Sequence, residues 1–240
     1  MTFKIIQSTP FTGKLPLHVQ VSEMLAREIQ AGILPDGSKL APEREMAAEL
    51  EIAVGTLRKA LADLTEKGLL EKVQGSGNYV RNKVAASTIY SFFRLELSSG
   101  GGLPTAEILS VERLKKPRDL PAFGTSQDAF RFRRLRRLNG KMAAVEEIWL
   151  DGSFAKQIRN EDLSDSLYQY YKQKLGLLII RAEDAVSLAP PPDWKPAKFT
   201  SNATIWGYIE RLSFDQNNAP AEFSRTWFDP TTTRFMARWK

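Results

Sequence analysis

The sequence predicts an α+β protein in two parts, and three observations predict it. Within residues 17–81, three stretches of helical apolar spacing precede two short extended runs around a Gly-rich turn. Beyond about residue 90, apolar and polar residues mostly alternate, and Asn139-Gly140 and Asp215-Gln-Asn-Asn218 supply tight hairpin turns between such runs. A chain of 240 residues with 42% hydrophobic and 26% charged side chains has ordinary globular composition and room for two modest domains.

The first helix runs from Leu17, with Val21, Met24, Leu25 and Ile29 on one side, and stops at Gly32. Pro35 and Asp36-Gly37 make the following loop. Pro42 opens a short second helix whose buried side is Met46, Ala47 and Leu50. Val54, Leu57, Leu61 and Leu64 form a third stripe that ends at Gly68. Leu69 to Val73 and Asn78 to Arg81 read as strands joined by Gln74-Gly75-Ser76-Gly77, whose glycines supply positive φ. Three helices and a hairpin in this order make a winged helix-turn-helix, in which the second helix braces and the third enters a groove of DNA.

On the third helix, Leu57, Leu61 and Leu64 point one way, Gly55, Lys59 and Ala62 the other, with Thr56 and Arg58 between. Gly55 and Thr56 let the helix N-terminus approach a duplex, where its dipole favours phosphate oxygens. Arg58 can offer two donors to a guanine edge or a phosphate, and Lys59, Lys72 and Arg81 suit phosphate positioning. A small helical domain with a solvated basic face is the plainer alternative, and the ordered set of elements outweighs it.

Residues 84–90 read as a linker between a domain at 1–83 and a second at 91–240, with Ser98 to Gly102 a flexible break. Runs 107–114, 129–138, 142–150, 177–188, 205–214, 221–228 and 234–239 read as strands of an antiparallel α+β domain, and 163–175 as an amphipathic helix ended by Gly176. Arg131, Arg133, Arg134, Arg136 and Arg137 crowd one strand. Period-two geometry puts Arg134 and Arg136 on one face and the other three opposite, one of these faces being the solvated outside. The arginines read as a solvent-facing edge or as a clamp for a carboxylate or phosphate. Glu146 and Glu222, on neighbouring strands, could orient hydroxyl or amine groups.

The absence of Cys excludes disulfides, thiolate catalysis and Cys-based zinc sites, and the single His18 excludes a multi-histidine metal site. No metal or cofactor is expected. The longest apolar stretch, Leu175 to Ile180, is too short to span a bilayer, and the N-terminus lacks a secretory pattern, so the chain reads as cytoplasmic and free of membrane. The net charge of +6 is modest: residues 54–83 carry six basic and three acidic side chains. No GxSxG, HExxH or P-loop is present, which weighs against an enzyme; a hydrolase using Glu146 and Glu222 as a carboxylate pair is one example of that alternative.

The stretch from Pro16-Leu17 to Val80 resembles the DNA-binding domain of the GntR family of bacterial regulators. It carries Gly32-x-Leu34-Pro35-x-Gly37-x-x-Leu40, Pro42-x-Arg44-x-x-Ala47, Thr56-Leu57-Arg58-x-Ala60-Leu61, Gly68-Leu69-Leu70 and Gln74-Gly75-x-Gly77-x-Tyr79-Val80. The resemblance implies DNA contacts from Arg44, Arg58 and the wing tip Gly75, Ser76 and Gly77. The sequence departs from the family at Ala53-Val54, where Ser-Arg is usual, and at Ala41, where a serine cap is usual.

Residues from about 90 to 240 resemble the UTRA ligand-sensing domain of the HutC branch, through Arg134-Leu-Arg136, Gly140, Glu146, Leu150, Ser166-Leu-Tyr168, Glu210-Arg211 and Glu222-x-Ser224-Arg225. The resemblance implies an effector site lined by Arg134, Arg136, Glu146, Ser166, Tyr168, Glu222 and Arg225. Met142 and Trp149 replace the usual Pro and Tyr, and Pro190-Pro-Pro-Asp-Trp-Lys-Pro196 cannot form the short helix usual after Leu188. Together these readings make the chain a ligand-responsive transcription factor: a repressor that binds a palindromic DNA operator as a homodimer and answers to a small anionic metabolite. The alternatives are an enzyme with an accessory helical module, or a DNA-binding protein whose second domain only dimerises.

Overall fold

In the computed structural model, which describes residues 2–3, 11, 13–81 and 89–238, the chain forms two compact units. One comprises Met1–Pro104 and the turn Leu138–Gly140; the other comprises Thr105–Arg137 and Lys141–Lys240.

The N-terminal unit runs β1 (Thr2–Phe3), α1 (Leu17–Gln30), β2 (Lys39–Leu40), α2 (Glu43–Glu49), α3 (Val54–Glu66), β3 (Leu70–Val73), β4 (Gly77–Val80) and β5 (Leu95–Leu97). The expected helical stripes become its core: Val21, Met24, Leu25 and Ile29 of α1 pack with Met46 of α2 and Leu57, Leu61 and Leu64 of α3. A seven-residue helix such as α2 is marginal alone, so its persistence rests on this shared burial, roughly 1.5 to 3 kcal/mol for each large apolar side chain. β3 and β4 pair antiparallel from Leu70↔Val80 to Val73↔Gly77, and the wing turns on Gly75 at φ 72 and Gly77 at φ 133. Lys39 of β2 pairs with Tyr79 of β4, and β1 adds to β2 in parallel. Neither two-residue strand leaves a periodic signal in the sequence.

Residues 84–88 of the expected linker lie outside the described residues. The N-terminal unit extends past 90 to Pro104. Ser98 to Gly102 is an ordered turn and not a flexible break: Leu97 N donates to Gly101 O at 3.1 Å, Gly100 N donates to Leu97 O at 2.7 Å, and Gly101 and Gly102 are buried.

The second unit contains β6 (Pro104–Lys115), β7 (Asp128–Leu138), β8 (Lys141–Asp151), α4 (Leu167–Tyr170), β9 (Arg181–Ala189), β10 (Trp206–Phe214), β11 (Pro220–Phe228) and β12 (Thr233–Phe235). Six strands form one sheet in the order β6-β7-β8-β11-β10-β9, antiparallel from β8 to β9. The two predicted turns are present, with Asn139 and Gly140 at φ 48 and 74, and Asn218 at φ 60. The expected last strand is cut to Thr233–Phe235; Trp239 lies outside the described residues.

The predicted helix at 163–175 is shorter than its apolar spacing suggests. Only Leu167–Tyr170 is α-helical, and Tyr171–Leu175 widens into a π turn that Gly176 closes. Ser164, Asp165 and Ser166 explain the late start, because their side chains bond nearby backbone instead of joining a helix. Ser164 Oγ donates to Ser166 O, Asp165 Oδ1 accepts from Ala106 N, and Ser166 Oγ caps Gln169 N.

Candidate functional site

The DNA-reading surface predicted from sequence is open on α3. Gly55, Arg58, Lys59 and Ala62 are exposed and Thr56 is half-buried, while Leu57, Leu61 and Leu64 are inside. No atom beyond its chain neighbours and own helix backbone lies within 4 Å of where a Cβ on Gly55 would stand, so the helix start is unobstructed. Arg44 is exposed on α2. Arg58 donates from Nε to Glu43 Oε2 at 2.6 Å, which ties α3 to the start of α2. In the wing, Gly75 and Ser76 are exposed, Gly77 is half-buried, and Ser76 Oγ lies 2.7 Å from Tyr79 OH. Sequence reasoning missed Lys39: the β2–β4 pairing brings its side chain beside Gly77, a neighbourhood that spacing along the chain does not reveal. Arg81 is engaged with Glu71.

In the second unit, strand alternation gathers a polar group on one sheet face. Arg134 and Arg136 of β7 are 5% and 2% exposed. Arg134 Nη2 lies 2.6 Å from Glu146 Oε2 of β8, and Arg136 Nη1 donates to Asp165 O at 2.7 Å. The register Glu222↔Ser213 joins β11 to β10. Tyr168 OH donates to Glu222 Oε1 at 3.0 Å and meets Ser213 Oγ at 2.7 Å, while Tyr171 OH donates to Glu222 Oε2 at 2.7 Å. Arg211 holds Asp184 with two bonds of 2.6 and 2.7 Å.

The two carboxylates behave oppositely. Burial alone would raise Glu146, but the guanidiniums of Arg134 and Arg136 outweigh it and hold the carboxyl below its ordinary range. Burial dominates at Glu222 and raises it, despite the phenol bonds and Arg134. Tyr168 and Tyr171 are both pushed up by burial and by Glu222, and so remain donors. Arg134 Nε and Nη1 are buried and have no hydrogen-bond partner. Unmatched buried donors are costly, and each of these N–H groups can take one oxygen of an anion, Nε and Nη1 standing on different sides of the guanidinium.

Ser166 is buried beside this group, its hydroxyl occupied as the cap of α4. Arg225 leaves the set. It follows Ser224 by one residue, so it points to the opposite face, where it meets Asp119 and Glu210. On that face Arg131, Arg133 and Arg137 pair with Glu112, Glu147 and Glu107. Of the two faces of β7 this one is the more open, its three arginines half-buried; Trp194 covers part of it, its ring 4.8 Å from the Arg133 guanidinium and edge-on to Trp227 at 5.8 Å. Tyr171, Ser213 and Arg211 join this polar group, and the sequence reading did not include them in the site. The helical spacing counts Tyr171 in an apolar stripe, and nothing in that spacing marks its phenol.

Among the described residues, no three His, Cys, Asp or Glu side chains could hold a metal ion. No helix there is long and apolar enough to cross a membrane.

Comparison with known proteins agrees with both modules. Residues 17–80 match the family of bacterial regulatory proteins, gntR family, and residues 99–234 match the UTRA domain. The chain is 57% identical over 227 residues to the HTH-type transcriptional regulator SmoD of Agrobacterium fabrum, covering 94% of this chain and 97% of that one. It is 27% identical over 230 residues to the mannosyl-D-glycerate transport/metabolism system repressor MngR of Escherichia coli, covering 93% and 95%. The crystal structure of YydK from Bacillus subtilis shares the fold, with a TM-score of 0.53 at 20% identity over 94% of this chain and all of that one. A helix-turn-helix with an open reading helix, a sheet face of buried arginines and acids, and these matches together place the chain in the gntR family of bacterial regulatory proteins, as a transcriptional regulator with a UTRA domain.

Proposed function

We propose that the protein is a cytoplasmic repressor that binds a palindromic operator as a homodimer and is released when a small anionic metabolite binds the second domain. In this reading residues 1–83 form the DNA-binding domain, 84–90 the linker, and 91–240 the effector-binding and dimerisation domain of HutC type. Arg44, Gly55, Thr56, Arg58, Lys59 and the wing tip Gly75, Ser76 and Gly77 contact the duplex. Two reading helices related by a twofold axis would meet major grooves about one helical turn apart, ~34 Å.

The observation that carries the effector reading is Arg134, buried with two donors unmatched and Glu146 on a third. Arg136 lies on the same face, and Tyr168, Ser213 and Glu222 offer partners for hydroxyl groups. An acidic sugar derivative satisfies both ends. The relative MngR is named for a system that handles mannosyl-D-glycerate, a glycoside bearing a carboxylate.

Thermal shift against a panel of carboxylated and phosphorylated sugars tests the reading. A ligand at one hundred times its Kd is expected to stabilise the protein by about 2.7 kcal/mol and to leave the panel member chemically unchanged. Arg134→Met is expected to abolish that stabilisation and, in anisotropy titrations, to leave the repressor on its operator when the ligand is added. Stabilisation of the variant equal to wild type would remove Arg134 from the site. No response from any panel member would favour a second domain that only dimerises.

A further inference from the structure

Helix α1 carries two charged side chains one turn apart, Glu23 and Arg27, which are 0% and 5% exposed. A buried charge is costly unless it is paired and hydrogen-bonded, so where their bonds go matters. Arg27 donates to three main-chain carbonyls, from Nε to Gly102 O at 2.7 Å, from Nη1 to Phe93 O at 3.3 Å and from Nη2 to Leu95 O. Its guanidinium lies 5.2 Å from the centre of the Phe93 ring. Glu23 Oε1 accepts from Ile89 N at 3.3 Å and from Lys67 Nζ, at the end of α3, at 3.0 Å. These three bonds of Arg27 go to the segment that follows the wing.

That segment is gripped again one residue on. Leu103 N donates to Asn139 Oδ1 at 2.7 Å and Asn139 N donates to Leu103 O at 3.1 Å, a closed two-way bond. A Cβ on Gly102 would stand 3.1 Å from Leu138 Cβ, so the turn and the segment are in close contact. Asn139 is the first residue of the turn between β7 and β8, three residues after Arg136 and seven before Glu146, so at a strand rise of ~3.3 Å the arginine is about 10 Å along the chain.

We propose that Asn139 and Arg27 are positioning residues of a relay. A change in the Arg134–Glu146 pair shifts the β7–β8 turn, Asn139 carries the shift to Leu103 and Gly102, and Arg27 carries it to α1. From there it reaches α3 through Lys67 and through Ser22, whose hydroxyl bonds Asp63. The proposal rests on the reading of Arg134 and Glu146 as the effector site.

The test is a double-mutant cycle in the full-length protein that needs no identified effector. Glu146→Gln weakens the pair, as an anion drawing Arg134 away would. Asn139→Gly keeps the positive φ of the turn and removes only the acceptor for Leu103 N. Operator affinity by anisotropy, and amide hydrogen exchange over residues 89–103 and α1, are read in both backgrounds. Glu146→Gln is expected to change operator affinity at least 5-fold, and exchange in those segments, when Asn139 is present, and to change affinity less than 2-fold in Asn139→Gly. Arg27→Lys, which keeps the charge but not the three-way donation, is expected to uncouple in the same way. Equal shifts in both backgrounds overturn the relay, because the signal then takes another route. No shift in either background also overturns it, and the thermal-shift panel with Arg134→Met then judges the effector site on its own.

Discussion

Glu28 of α1 has one carboxylate oxygen, Oε2, buried without a hydrogen-bond partner, and burial raises its carboxyl from 4.5 to about 7. In the unfolded chain the group ionises near its ordinary value. Between about pH 4.5 and 7 the native state therefore holds the proton that the unfolded state has lost, and stability declines as pH rises through this window. Glu28→Gln removes the penalty. Urea unfolding is expected to show the variant more stable than wild type at pH 8, by at most about 3 kcal/mol, with the gap closing near pH 4. A gap of the same size at both pH values would mean that ionisation of Glu28 is not its source. At Arg134 the carboxylate of Glu146 sits on one donor, and two further buried donors face no partner.

Elements are where sequence reading was strongest, and also where its errors are most instructive. The stripes of α1 and α3, the wing, and the turns at Asn139-Gly140 and Asp215–Asn218 were legible because each depends on local period or on residues that tolerate positive φ. Alternation along one strand set Arg134 and Arg136 on a common face, and the resemblance to the UTRA domain joined Glu146 to them. Ser213 was not legible, since only the register of β10 on β11 sets it beside Glu222, and no short-range pattern encodes that register. Arg225 came from the resemblance to the UTRA domain, and alternation along β11 sets it on the face opposite Glu222 and Ser224, beside Asp119 and Glu210. A similar long-range constraint fixes Gly207 of β10, which faces Phe228 of β11: a Cβ there would stand 2.0 Å from Phe228 Cζ. Gly207→Ala must turn the ring out of its place, a cost of about 1 to 3 kcal/mol, or a fall in melting temperature of about 2–4 °C per kcal/mol. An unchanged melting temperature would show that the ring moves freely.

For the molecule as a whole, the +6 charge is too small to make duplex binding a matter of bulk attraction, so selectivity rests on a few groups. In the proposed reading Arg58 is foremost among them, and Glu43 holds it. An exposed ion pair of this kind is worth about 0.2 to 1 kcal/mol. Glu43→Gln is therefore expected to strengthen binding to scrambled duplex more than to operator, lowering their affinity ratio about 2- to 5-fold in anisotropy titrations at fixed salt. A ratio that stays the same or rises would show that the carboxylate plays no part in discrimination. A chromosome offers vastly more wrong stretches than right ones. In the proposed reading stray phosphates must compete with a carboxylate of their own sign for the arginine, whereas a guanine edge carries no net charge for that carboxylate to repel. Glu43, which need never touch DNA, would thereby keep the protein from lingering at the wrong addresses.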